Sequence, residues 1–297
     1  MEHFDLKISN DVANKHRKEL PTYNNFNITE LHKMPMLFDW VECRVTDDCK
    51  FKMLLGGKDD GVVMRFFWNG KYEAATLRAW VYFAAKGGIK IDIGAHTGAY
   101  TLAALKADFG KDVFSFEPHF MNYSRLNLNI RANNFNTGNS FMMAVGAVTQ
   151  LREFSISTNI DYLSTGGSLD KKDGMIKNSV QTVNLDSTFD SQIHDKIKLI
   201  KIDVEGHEGE CLTGMSAIID TARPTIFFEC IDSTSGINVE RFLKSRNYIV
   251  YEIDDITGKL SEVENVVPHI GSNGMPIMHK INRIAVPAQQ RLLVDSF

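Results

Sequence analysis

Lys90-Ile-Asp-Ile-Gly-Ala-His-Thr-Gly-Ala-Tyr-Thr101 is the stretch from which the fold is read. The β-branched run Ile89 to Ile93 breaks into two glycines four positions apart, Gly94 and Gly98. It then becomes the Ala/Leu-rich segment Ala99 to Ala107, whose composition is helical. Strand, glycine turn and helix in that order are how an open α/β sheet builds a nucleotide site at the carboxyl ends of its strands. Asp92 lies inside the turn-forming stretch. A carboxylate there opposes a pyrophosphate, because a helix N-terminus and its backbone amides are set up to attract anions. It suits a ligand with a positive charge and hydroxyls. S-adenosylmethionine, with its sulfonium, ammonium and ribose, is such a ligand.

Outward from this stretch the alternation of strand and helix continues. Glu73 to Lys86 is expected as a helix ended by Gly87-Gly88. On the other side follow a strand at Asp112 to Phe116, a helix at Phe120 to Asn133 and a strand at Ser140 to Val145. A β pair is expected at Arg152 to Ser157 and Ser179 to Leu185, around a Gly/Ser-rich and then charged loop from Leu163 to Lys177. Lys198 to Val204 reads as a strand buried on both faces. Beyond it come a helix at Glu210 to Asp220 interrupted by Gly214, a strand at Thr225 to Cys230 and a helix at Val239 to Arg246. A strand at Tyr248 to Ile253, its hairpin partner at Lys259 to Val263 and a last strand near Asn282 to Val286 complete the series. This order predicts a doubly wound, mostly parallel, Rossmann-like α/β sheet with an antiparallel terminal hairpin at its edge. Ahead of it, Val41 to Val45, Phe51 to Leu55 and Val62 to Trp68 are expected as a small antiparallel meander. Asp11 to Leu20 is expected as a surface helix stopped by Pro21.

A chain of 297 residues, 43% hydrophobic and 24% charged, can bury a large core. Its formal net charge of −4 supplies no basic field, so no extended nucleic-acid footprint is expected. No segment approaches the ~20 apolar residues of a membrane span, and the polar N-terminus does not read as a secretory signal. Cys43, Cys49, Cys211 and Cys230 fit no zinc spacing and are expected as free thiols, with the cytoplasm as the default location.

Three groups of residues carry the candidate chemistry. Glu117 ends the second strand of the βαβ unit, 25 positions after Asp92. In doubly wound folds an acidic residue about 20 residues past the glycine turn accepts ribose hydroxyls. Both a nicotinamide dinucleotide and S-adenosylmethionine contain such a ribose, but the spacing D-x-G-x-x-x-G is not the dinucleotide fingerprint and favours the latter. Asp203, Glu205, His207 and Glu208 crowd the carboxyl end of the buried fourth strand, where a general base, a substrate grip and metal ligation are all open to them. No metal is expected. Glu229 at the end of Ile226-Phe227-Phe228 is either a site group or a cap. Glu73 alone reads as an N-terminal helix acid. Two other classes stay open: an NAD-dependent oxidoreductase on the same architecture, and a non-catalytic nucleotide-binding module.

Taken together, these segments resemble the FkbM-type methyltransferases, a branch of the class I S-adenosylmethionine-dependent enzymes. The resemblance is carried by Asn69-Gly-Lys-Tyr-Glu73, Asp92-Ile-Gly-Ala-His-Thr-Gly-Ala-Tyr100, Phe116-Glu-Pro118, the Leu126/Asn129/Asn133 helix and Ala144-Val-Gly146. It continues through Leu185-Asp186, Ile200-Lys-Ile-Asp-Val-Glu-Gly-His-Glu208, Arg223-Pro224, Glu229 and Asn282-Arg-Ile-Ala-Val-Pro287. His96 stands where the family often has Asn. The resemblance implies methyl transfer to a hydroxyl of a sugar, glycan or natural product, with S-adenosylmethionine as cofactor and a small-molecule or glycan acceptor as partner. It implies that Asp92, Gly94, His96 and Gly98 surround the cofactor's methionine part, Glu117 its ribose, and Met143 and Ala144 its adenine, with Glu73, Ala95, Tyr100 and Pro118 also expected to contact the cofactor. Asp203, also a cofactor contact, would face the acceptor with Glu205 and His207. His207 is the first candidate base because its ordinary pKa is about 6.5. Residues 1–65 are then an N-terminal extension with a small β meander, and 66–297 the methyltransferase domain. The acceptor pocket is expected from the Leu163 to Lys177 loop, the N-terminal extension and the final loops.

Overall fold

The computed structural model describes residues 5–156, 163, 167, 169 and 176–291. Most of the expected loop between Leu163 and Lys177 therefore lies outside the described residues. Helix α1 (Leu6–Glu19) starts five residues before the predicted Asp11, because the Asp5 side chain accepts from the Lys7 and Ile8 amides and caps it. A single turn, α2 (Ile28–Leu31), closed by the Asn27/Glu30 capping box, leads to the antiparallel hairpin β1 (Leu37–Arg44) and β2 (Lys50–Gly57).

The third strand expected of the meander, Val62 to Trp68, is helical. It forms α3 (Gly61–Met64) and then a π-helical turn over Arg65–Asn69. Asp60 decides this: its carboxylate accepts from the Val62 and Val63 amides at 2.9 and 3.1 Å and caps a helix start. The apolar run that suggested a strand is buried all the same, with Val63, Met64 and Trp68 at most 1% exposed. Helix α4 (Ala74–Ala84) follows. Its first turn is held by a distant residue, since Asp255 accepts from the Ala75 and Thr76 amides at 2.9 Å each and from Thr76 Oγ1 at 2.8 Å.

The doubly wound part alternates as expected: β3 (Ile89–Ile93), α5 (Ala99–Ala107), β4 (Val113–Phe116), α6 (Phe120–Ala132) and β5 (Ser140–Phe141). The predicted strand Ser140 to Val145 is two strands. The chain leaves the main sheet after Phe141, and β6 (Ala144–Val145) pairs instead with β8 (Ile176–Val183), which pairs with β7 (Gln150–Ile156). The short helix α7 (Leu185–Thr188) precedes β9 (Ile197–Ile202), and Gly214 separates α8 (Glu208–Thr213) from α9 (Ser216–Ala222). After β10 (Thr225–Glu229) come α10 (Ser233–Lys244), β11 (Tyr248–Ile253), β12 (Leu260–Glu262) and β13 (Asn282–Pro287).

The main sheet has eight strands in the order β12-β11-β13-β10-β9-β3-β4-β5. The run β10-β9-β3-β4-β5 is parallel. The terminal hairpin does lie at the edge, but β13 enters the sheet between β10 and β11, antiparallel to both. It is buried along its length. On one side of the sheet a single apolar cluster joins Ala13, Leu31 and the β1–β2 hairpin to α4 and α5. On the other, α8, α9 and α10 cover Ile91, Ile200 and Phe228. No helix among the described residues is long and apolar enough to cross a membrane.

Candidate active site

The carboxyl ends of β3, β4, β9 and β10 open into a cavity of about 620 Å³. Gly94 and His96 enter it after β3, Glu117, Pro118 and His119 after β4, and Asp203 and Glu205 after β9. Met143 and Ala144 reach it from the break where the chain leaves the main sheet, and Glu229 from the end of β10. Other walls are Asn24–Ile28, the Arg65–Glu73 turn, Asp255–Ile256 and the Met278–Ile281 segment. Of the predicted site residues, Glu73, Gly94, His96, Glu117, Pro118, Met143, Ala144, Asp203 and Glu205 therefore line one cavity. Asp92, Ala95, Gly98, Tyr100 and His207 are not among its lining residues.

The glycine turn is tight for steric reasons. At Gly94, φ is +79° and a Cβ would stand 1.8 Å from the Asp203 carbonyl oxygen. Only glycine lets the ends of β3 and β9 approach so closely. At Gly98, φ is +104°, a left-handed conformation that side chains other than glycine rarely adopt, and a Cβ there would displace the Leu126 Cδ1 methyl, 2.6 Å away.

His96 is held in the left-handed region, with φ +49°. This turns its amide onto Glu117 Oε2 at 2.8 Å, while Glu117 Oε1 accepts from the His119 amide at 2.9 Å. Burial pushes Glu117 up to about 7 against these amide bonds. The His96 Nδ1 lies 3.2 Å from Thr97 Oγ1. Its Nε2 is buried without a hydrogen-bond partner among the described residues.

Lys201, 1% exposed, stands among the acids at the carboxyl edge of the sheet. Its Nζ donates to Asp203 Oδ2 at 2.7 Å and stands 4.3 Å from the Tyr100 ring centre. Burial disfavours the charged ammonium, but Asp203, Glu229, Glu73 and Asp92 outweigh it and raise the lysine's pKa. One ammonium does not balance four carboxylates. Burial raises Glu229 well above the usual range, and Asp203 adds to the effect. Burial likewise raises Glu73, whose carboxylate accepts the Tyr100 hydroxyl. Asp92 sits behind the cavity wall, accepts from Thr101 Oγ1 at 2.6 Å and is pushed by burial up to about 6. An excess of desolvated negative charge at a cavity wall is relieved by a cationic ligand.

His207 is buried at the position preceding α8, and its carbonyl accepts from the Cys211 amide at 3.1 Å. Among the described residues, no group of three or more His, Cys, Asp or Glu has a metal-holding arrangement. Arg65, Asp255 and His279 line the cavity but do not stand out in the sequence, and Lys71, within the Asn69–Glu73 motif, has no role assigned there. For Arg65 the missed signal was the Asp60 cap. For Asp255 and His279 no local signal exists, since their place depends on pairing across the whole sheet.

A doubly wound, mostly parallel sheet with a cavity at the carboxyl ends of its strands is the arrangement in which open α/β folds bind their ligands. The Methyltransferase FkbM domain family matches residues 92–250, more than half of the sequence, and the chain belongs to that family. Similar solved structures include the FkbM methyltransferase of Methylobacillus flagellatus KT, at 14% identity, with 77% of this chain and 55% of that chain covered and a TM-score of 0.41. The chain thus spans little more than half the length of that relative. An O-methyltransferase from Bacillus cereus in complex with SAH is similar at 14% identity, over 72% of this chain and 79% of that one, with a TM-score of 0.39. A Pyrococcus abyssi tRNA (uracil-54, C5)-methyltransferase in complex with S-adenosyl-L-homocysteine follows at 11% identity, over 83% of this chain and 43% of that one, with a TM-score of 0.42. No curated protein matches the sequence.

Proposed function

We propose that the chain is an S-adenosylmethionine-dependent methyltransferase that methylates a hydroxyl oxygen on a sugar, glycan or natural product. The observation that carries the reading is Glu117, a buried carboxylate at the end of β4 whose cavity also receives the acidic wall around Lys201. The residues fit the cofactor by the chemistry of their donors and acceptors. Glu117 accepts the two ribose hydroxyls, and the unpartnered His96 Nε2 offers a polar contact beside it. Met143 and Ala144 give the adenine an apolar wall, and Glu73 and Asp203 face the positive charges of the methionine side. A pyrophosphate meets the same carboxylates as repulsion, which disfavours a nicotinamide dinucleotide. Bound there, the cofactor supplies a methyl group already activated on a sulfonium sulfur.

The chain's own task is then placement, which contributes up to about 7–11 kcal/mol, with a base adding about 10²–10⁴-fold. We assign the base to Glu205, which lines the cavity at the mouth of β9. Asp203 is tied to Lys201, and His207 is not among the lining residues. The four cysteines, buried and unpaired, suit a reducing compartment, and the cytoplasm is the proposed location.

Calorimetry with S-adenosylmethionine, S-adenosylhomocysteine and NAD tests the cofactor: the first two bind, and Glu117→Ala weakens them sharply. Binding of NAD alone, or unchanged affinity in Glu117→Ala, refutes the reading. For the base, Glu205→Gln is expected to lower turnover by about 10²–10⁴ with cofactor affinity kept, while His207→Ala loses far less. The reverse ranking returns the role to His207.

A further inference from the structure

We infer that the acceptor carries an anionic group, a phosphate or a carboxylate, seated on Arg65 and Lys71. The inference rests on the methyl-transfer reading of the same cavity and names the class of acceptor. Both side chains are half-buried and line the cavity. Arg65 Nη1 donates to the Gly61 carbonyl at 3.0 Å, and its other guanidinium nitrogens make no hydrogen bond among the described residues. Lys71 makes no hydrogen bond or ion pair among the described residues. This contrasts with Lys201, whose ammonium is committed to Asp203.

The backbone that carries these two cations is fixed. Arg65 opens a π-helical turn, a rare form that occurs mostly as single turns and frequently at functional sites. Trp68, 1% exposed, anchors that turn in the core. Asn69 pairs with both backbone groups of Phe26, accepting from its amide at 3.1 Å and donating to its carbonyl at 3.0 Å. Two cations presented from a rigid, partly desolvated wall meet a poor partner in a neutral polyol, because no counter-charge replaces their lost water. A phosphate or carboxylate does replace it, and the guanidinium can engage either with two parallel N–H donors. The cofactor's own carboxylate is the rival occupant of these cations.

The test uses the full chain saturated with S-adenosylhomocysteine, titrated by calorimetry with inorganic phosphate, glucose 6-phosphate, glucuronate and glucose. At least one anionic probe is expected to bind at least about tenfold more tightly than glucose, and the phosphate and carboxylate arms separate the two sources. In Arg65→Gln/Lys71→Gln that preference disappears while S-adenosylhomocysteine affinity is kept, and Lys71→Gln alone, the milder change, reduces it. Equal binding of glucose, no binding of any anion, or an anion preference intact in the double variant overturns the proposal. So does loss of S-adenosylhomocysteine affinity in the double variant, which gives the cations to the cofactor. Failure of the unaltered chain to bind S-adenosylhomocysteine overturns the methyl-transfer reading instead.

Discussion

Lys201 and Glu117 show how single buried charges set the behaviour of this site. Lys201 is the one ammonium among Glu73, Asp92, Asp203 and Glu229, so removing it leaves buried carboxylates without compensation. Lys201→Met is expected to cost about 3–5 kcal/mol, read as a shift of the denaturant midpoint at unchanged slope. A midpoint within error of the original would show that the acids are solvated after all. Glu117 titrates at about 7 because it is buried, and accepting ribose hydroxyls on both oxygens requires the ionised form. Cofactor affinity is therefore expected to fall by up to about tenfold per pH unit below 7. In Glu117→Gln it is weak and flat across the same range, and a slope surviving there would assign the titration to another group.

At the scale of elements, what could be read early is what local chemistry decides. The β3–turn–α5 unit, the β9 and β10 strands and the Glu117 position follow from β-branched runs, glycines and spacing, all within a few residues of one another. The π-helical turn did not, because Val62 to Trp68 is equally apolar as a buried strand or a buried helix, and only the Asp60 cap separates the two. The split after Phe141 was illegible for a different reason: β6 takes its partner from β8, more than thirty residues on. Site residues sort the same way. Candidates on the strand ends are legible in their own segments, whereas Asp255 lines the cavity with its carboxylate reaching back to α4, a placement no local pattern announces. Asp255→Ala removes that distant cap and is expected to cost about 1–2 kcal/mol, measured by chemical denaturation. Hydrogen exchange then rises first in the opening turn of α4; equal protection there would mean that α4 is held by packing alone.

The whole molecule stores part of its stability against pH in the same buried acids. Asp92 is raised from 3.8 to about 6 and Glu117 from 4.5 to about 7, so both bind a proton more tightly in the folded chain than in the unfolded one. Their contribution is complete at low pH and lost as pH rises through about 6 to 7. The ligand-free protein is thus expected to become less stable between about pH 4 and pH 7, as followed by the denaturant midpoint. A flat or rising profile contradicts the burial argument. The insertion of β13 between β10 and β11 has a consequence for biosynthesis. Until residues 282–287 have emerged from the ribosome, the sheet consists of two parts with unpaired edges where β10 and β11 await their common neighbour. Such edges recruit other chains, so the nascent protein passes through an interval in which speed of synthesis, and shelter by chaperones, govern how much of it reaches the native state.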